Sequence, residues 1–515
     1  MDETKSPATS APADPVDGPD LVGASDLVGA SDPVGASDPG DSTGHGLRAG
    51  AVSLPQSVIF SVASSAPGQA TAVTIAVLVA ASAYAGGLAI LITTLPMLAI
   101  AFSYHRLNMW SRDCGGSYMW VGRAINPYVG FMVGWTMLVG YVLGTVADIL
   151  PIGPAVLSFI GLPADSAIGS LITVAVAGSV VVGTAVVGVQ VTARFQMIIA
   201  GIEYVILLTF CGIGIYRVYF EHAPGTVRPS WEWLSLSGVG GQGSLVAGML
   251  ITVYLFTGWD SALYLNEETA RPERNPGLAA IISVVILGGF YALLELALQG
   301  AAPPAQLQAH GGDALTFLAS RLVGDGWARF MSLAVILSVL GTTQAFLVSA
   351  ARISFSMGGD RVLPAAFGRL HPRFRTPAFA TVLFGGVMIV ATWLYVLSSS
   401  ISKAFDVVVS ITGVLFAAFY AATGLATAIY YRALARRGIG GLFSSVLLPV
   451  GGAAVLAWIV VRSIAGFDAM TLWSVVGATA LGVLMLGIAV RRYRSPFFRL
   501  PREAHQPAPP EGELR

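Results

Sequence analysis

Five carboxylates fall within or at the ends of long apolar runs: Asp148, Glu203, Asp260, Glu295 and Asp406. An ionisable group at that depth is a candidate for meeting a cation or carrying a proton. Asp260 stands out, because it lies in Tyr254-Leu-Phe-Thr-Gly-Trp-Asp-Ser-Ala262, two residues after Gly258. It could accept an amine, exchange a coupling proton or cap an unwound turn. Trp259 beside it is a candidate aromatic lid, against an ordinary packing role. Glu203, well inside its run, is the second proton-coupling candidate. Asp148 and Asp406 lie near run ends and are expected to be solvated, while a bond to a neighbouring helix explains Glu295 as well as a proton role does.

A second segment reads Ser61-Val-Ala-Ser-Ser-Ala-Pro-Gly-Gln-Ala70. Helix breakers at hydrocarbon depth leave backbone groups that lipid cannot satisfy, so they persist beside protein or a water-filled cavity. Either break alone would pass as a kink. Two breaks at matching positions, one beside Asp260, point to a binding site near the bilayer midplane. The half-helix after Gly68 would offer amides to a carboxylate, and the run ending at Gly258 would offer carbonyls to an ammonium. A zwitterion fits both. The expected substrate-binding residues are therefore Ser64, Ser65, Ala66, Pro67 and Gly68 with Phe256, Thr257, Gly258, Trp259 and Asp260.

Other chemistries are excluded. Lys5 and Lys403 are the only lysines and neither follows a phosphate-binding glycine loop. Cys114 and Cys211 are too few for a thiolate zinc site, and the histidines at 45, 105, 222, 310, 371 and 505 form no metal-binding pair. No metal, cofactor or nucleic-acid partner is expected, and no enzyme activity.

The elements that hold these residues are membrane helices. The chain is 55% hydrophobic and 11% charged, with mean hydropathy +0.73, against about 25% charged for soluble proteins. Twelve apolar blocks are long enough to cross a bilayer: near 56–80, 84–104, 127–149, 169–189, 195–216, 244–265, 277–299, 330–351, 377–398, 405–429, 441–461 and 470–490. With both termini inside, every basic residue except Arg217, Arg228, Arg321, Arg329, Lys403 and Arg462 falls on the cytoplasmic side. Residues 1–50 hold tandem Leu-Val-Gly-Ala-Ser-Asp repeats and are expected to form a disordered cytoplasmic tail. No signal peptide is expected ahead of them.

Several loop motifs resemble the amino acid-polyamine-organocation superfamily of permeases. They are Arg112-Asp-Cys-Gly-Gly-Ser-Tyr118, Asn126-Pro-Tyr-Val-Gly-Phe-Met-Val-Gly-Trp135, Gly258-Trp-Asp260, Asn266-Glu-Glu-Thr-Ala-Arg-Pro-Glu-Arg-Asn-Pro276, and the stretch from Arg352 to Pro364 with Arg375-Thr-Pro377. The resemblance covers about residues 55–430. Ser64-Ser-Ala-Pro-Gly68 replaces the glycine-rich first-helix motif of many relatives, and Glu203 lies where some proton-coupled relatives carry a lysine.

The resemblance implies an all-α polytopic fold with a five-plus-five inverted repeat and discontinuous helices 1 and 6. The first repeat would span 51–217 and the second 244–429, followed by two helices over 441–490 and a cytoplasmic tail at 491–515. It implies a secondary transporter of amino acids in the cell membrane, working by alternating access as a proton symporter or exchanger. Polyamines or organic cations, or sodium-coupled uptake, are the alternatives. Thr342, Thr343 and Ser349 are the candidate sodium ligands, and Glu267 and Glu268 with Arg271 the candidate inner gate.

Overall fold

The computed structural model describes residues 46–82, 85–234, 242–310, 314–397 and 401–503. The repeats of the N-terminal tail lie outside them, as does the side chain of Asp406. Among the described residues the chain is helical, with one isolated bridge between Val52 and Thr269.

The helices run in chain order as α1 (Leu54–Ala63), α2 (Pro67–Ser82), α3 (Gly86–Trp110), α4 (Ser117–Ala124), α5 (Pro127–Ile149), α6 (Ile152–Phe159), α7 (Ala167–Val187), α8 (Val189–Ile215) and α9 (Gln242–Leu255). A 3-10 segment, Ser261–Glu268, precedes α10 (Asn275–Gln299), α11 (Pro304–Ala309), α12 (Ala314–Val323), α13 (Asp325–Gly359), α14 (Ala378–Leu397), α15 (Ile401–Tyr430), α16 (Ile439–Leu442), α17 (Leu448–Ile464) and α18 (Ala469–Ile488).

Ten helices are long and apolar enough to cross a membrane among the described residues. They coincide with expected spans 2–5 and 7–12. Spans 1 and 6 are the two that are interrupted, as α1 with α2 and as α9 with the 3-10 segment.

In lipid, helices associate through close packing rather than apolar burial, so small residues mark the contacts. The longest contact, α3 on α10, uses Gly288, where a Cβ would come within 2.6 Å of Thr94. Helix α5 lies against both α13 and α15.

The short helix α4 is braced from behind by the chain after α18. Phe497 stacks on Tyr118 at 4.5 Å between ring centroids, in space that Gly122 leaves open. Arg123 pairs with Glu503 at 2.7 Å. On the same side of the molecule Leu47, expected in the disordered tail, is buried with Cys114 and Phe355.

Candidate substrate site

Both interruptions have a local cause. Ala66 takes φ +46° directly before Pro67, and proline disfavours helical geometry in its predecessor while lacking an amide of its own. Gly258 takes φ +94°, a conformation that glycine adopts at little cost.

The carbonyls that α1 frees are all met. Phe60 O accepts from Ser64 N, Ser61 O from Ser64 Oγ, Val62 O from Ser65 N, and Ala63 O from Ala66 N and Thr342 Oγ1. Tyr291 donates to Ser65 O at 2.7 Å.

The two breaks touch each other. Ser64 Oγ shares its single proton between Ser61 O and Gly258 O, and Ala262 N donates to Ser61 Oγ at 3.2 Å. A Cβ on Gly258 would sit 2.5 Å from Ser64 O and 2.6 Å from the Phe346 ring.

The amide that α2 was expected to offer a ligand carboxylate is taken. Gly68 N donates to Glu203 Oε1 at 2.9 Å and to Ser338 Oγ at 3.1 Å. Helix α8 thus supplies the anion that the electropositive helix end favours.

Beside the first break lies a narrow cavity with room for roughly one water. Its walls are Ser64, Ser65, Ala66, Gln69, Ala70, Asp148, Tyr254, Thr257 and Thr342. Asp148, expected to be solvated at a span end, is instead only 4% exposed. Beyond Asp148 the chain runs on through Pro151 into α6, which packs against α7 and α13, and Tyr254 and Gln69 wall the carboxylate in. The Tyr254 hydroxyl lies between Asp148 and the Gln69 amide, while among the described residues Ser65 Oγ has no hydrogen-bond partner. Gln69 also floors a larger vestibule formed with Pro151, Pro154, Ser158, Thr316 and Ser332.

Asp260 faces away from this cavity. Tyr141 and Tyr420 donate to its Oδ1 at 2.9 and 2.7 Å, and Tyr264 donates to Oδ2. Trp259, the candidate lid, is fully buried with its ring 5.1 Å from both Tyr104 and Tyr420. Phe256 packs against Tyr291. Tyr141 and Asp148, seven residues apart, share a face of α5 about 10 Å apart along its axis.

Of the candidate sodium ligands only Thr342 reaches the break. Thr343 Oγ1 is buried without a partner among the described residues, and Ser349 bonds back to Ala345 O two turns further on. Glu295 is buried, with its Oε1 against Gly86.

The side opposite the vestibule is closed by a polar network. Glu268 pairs with Arg352 at 2.5 Å. Glu267 Oε1 accepts from Cys114 N, and Asn266 Nδ2 donates to Asp113 O. Arg271, expected in this gate, is exposed at φ +52° in the turn beyond the 3-10 segment. Asp113, Cys114 and Glu267 bring a thiol and two carboxylates within 4.8 Å of one another, but donors from Gly115, Ser356 and Cys114 occupy those carboxylates.

This arrangement agrees with what the chain is similar to. The model of a family described as "Amino acid permease" matches residues 55–467, and the chain belongs to that family. It is 25% identical over 414 residues to the low-affinity putrescine importer of Escherichia coli K12, covering 78% of this chain and 85% of that one. The methylthioribose transporter of Bacillus subtilis is 26% identical over 301 residues, covering 55% and 62% of the two chains. The branched-chain amino acid permease of the same bacterium is 24% identical over 311 residues, covering 57% and 64%. The protein is a multi-pass membrane transporter and not an enzyme.

Sequence reasoning found both breaks and Glu203, but it passed over Gln69, Tyr254, Tyr291 and Arg352 and set Asp148 aside. The seven-residue spacing of Tyr141 and Asp148, and the position of Gln69 directly after Pro67-Gly68, are signals that could have found two of them.

Proposed function

We propose that this chain moves a small amine-bearing solute, an amino acid or a related amine, by alternating access around the broken helices. The observation that carries this is the contact of the two interruptions at Ser64 and Gly258, which leaves polar backbone beside a cavity at membrane depth. Residues 51–217 and 244–429 form the two inverted five-helix sets, and both termini face the cytoplasm. The vestibule at Gln69 then opens outward, and the Glu268–Arg352 network is the closed inner gate.

Proton coupling is favoured over sodium. Glu203 accepts from the Gly68 amide in the first turn of α2, so its protonation bears directly on the hinge. Thr342, a candidate sodium ligand, is already bonded to the Ala63 carbonyl.

Reconstituted vesicles test the reading. Uptake of labelled amino acids and polyamines is expected under an inward proton gradient and not under a sodium gradient alone. If no amino acid or amine moves under any gradient, the assignment fails.

A further inference from the structure

The short stretch ahead of α1, residues 46–53, lies beside the Glu268–Arg352 network and is fastened at two points. Val52 is tied to the end of the 3-10 segment by its backbone: its N donates to Glu268 O at 3.0 Å, and its O accepts from Ala270 N at 2.8 Å. Five residues earlier, Leu47 is only 8% exposed and is buried with Cys114 and Phe355, with Leu370 packed against them. Between the two points Arg48, Ala49 and Gly50 are exposed, and Gly50 turns the chain at φ +69°.

The two points belong to opposite sides of the gate. Phe355 follows Arg352 by three residues on the same face of α13, and Leu370 lies in the chain beyond that helix. Val52 instead holds Glu268, the residue whose carboxylate meets Arg352. The Leu47 contact therefore bridges the same seam as the buried ion pair. The end of α13 is itself braced, because Asp360 accepts from Tyr118 at Oδ2 and from Ser495 Oγ at its carbonyl. Leu47 thus seats against a fixed wall. Separating the 3-10 segment from α13 carries Val52 away from the pocket that holds Leu47. Drawing Leu47 out returns its apolar surface to water, which opposes the separation.

We propose that Leu47 is a positioning residue of the inner gate: an apolar latch that, with the backbone bridge at Val52, holds α13 against the 3-10 segment and biases the protein toward the state whose vestibule is open. This rests on the alternating-access reading and goes beyond it, since the latch lies ahead of the first span and touches neither the cavity nor the vestibule. Residues 46–53 then set how readily the two states exchange, independently of which solute is carried.

The test reads the far side of the molecule. The purified full chain carrying Thr316→Cys, in the vestibule wall on α12, is labelled with maleimide, and peptide mass spectrometry reads that thiol, Cys114 and Cys211 separately. Leu47→Ser should speed labelling of Cys114 about tenfold or more and, by shifting the population away from the open vestibule, slow labelling of the vestibule thiol several-fold. Leu47→Met should label as the parent does. Leu47→Ala should shift both thiols in the same directions, which keeps the test open if the serine variant does not fold; the size-exclusion profile reports folding. A merely loosened protein gives another pattern, with Cys211, buried on α8, rising alongside Cys114, and that result overturns the latch. So does vestibule labelling that Arg352→Gln slows and Leu47→Ser leaves unchanged, even with Cys114 uncovered. If neither variant slows it, the alternating-access reading fails and the latch with it.

Discussion

Arg352 Nε lies 2.5 Å from Glu268 Oε2, and both side chains are almost wholly removed from solvent. The pair joins α13 to the last turn of the 3-10 segment, across the end of the molecule opposite the vestibule. Removing one member of such a pair strands a charge, at a cost of about 3–5 kcal/mol.

Arg352→Gln should therefore lower the unfolding temperature and loosen this end. Cys114 gives the readout, since its thiol is buried and contacts Arg352 O. Burial, with Glu267 adding to it, pushes the Cys114 thiol well above the usual range. The wild-type protein should thus resist maleimide at neutral pH; loss of the Arg352 charge does not itself favour the thiolate, so faster labelling of the variant at the same pH would report that this end has opened. Equal labelling of both would contradict a gate held by this pair.

Glu203 separates charge from geometry. Glu203→Gln keeps an oxygen for the Gly68 amide, so the break should persist and solute exchange continue, while accumulation driven by a proton gradient is lost. Glu203→Leu leaves Ser338 as the amide's remaining partner and should cost about 1–3 kcal/mol of stability. Gradient-driven uptake by the glutamine variant at wild-type levels would remove Glu203 from coupling.

Gly258→Ala introduces a side chain at φ +94° and against Ser64 O and Phe346. The two broken helices must then separate or strain, so transport should fall more than tenfold, with about 1–3 kcal/mol lost from stability. A variant with full activity would show that the contact between the breaks is dispensable.

The chain after α18 offers a contrast between burial and charge. Phe497 is 1% exposed, so Phe497→Ala should cost about 3–5 kcal/mol. Glu503→Ala breaks a pair with Arg123 whose side chains are 34% and 26% exposed and should cost on the order of 1 kcal/mol. Thermal unfolding of the two variants checks the order, and a Glu503→Ala loss as large as that of Phe497→Ala would contradict it.

The interruptions were legible in the sequence because Pro67, Gly68 and Gly258 are breakers inside runs otherwise long enough to cross a bilayer. The ten continuous helices were legible for the same reason of length and apolarity. What escaped depends on distance along the chain. Glu268 was matched with Arg271 because they are close in sequence, yet its partner lies on α13, and Arg271 turns to solvent where the 3-10 segment ends. Asp148 sat at the edge of an apolar window, but the helix runs on beyond it into α6, and Gln69 and Tyr254 from other helices enclose the carboxylate. Asp260 was rightly placed beside a break, but three tyrosines from α5, α15 and its own segment enclose its carboxylate, and no local pattern specifies such a convergence.

Gln69 is at once the floor of the vestibule and the roof of the cavity below. A guest passing that single carboxamide has to leave its hydration shell behind, because the space beyond holds roughly one water. On the proposed route, discrimination would begin with dehydration at this carboxamide, which lines both spaces.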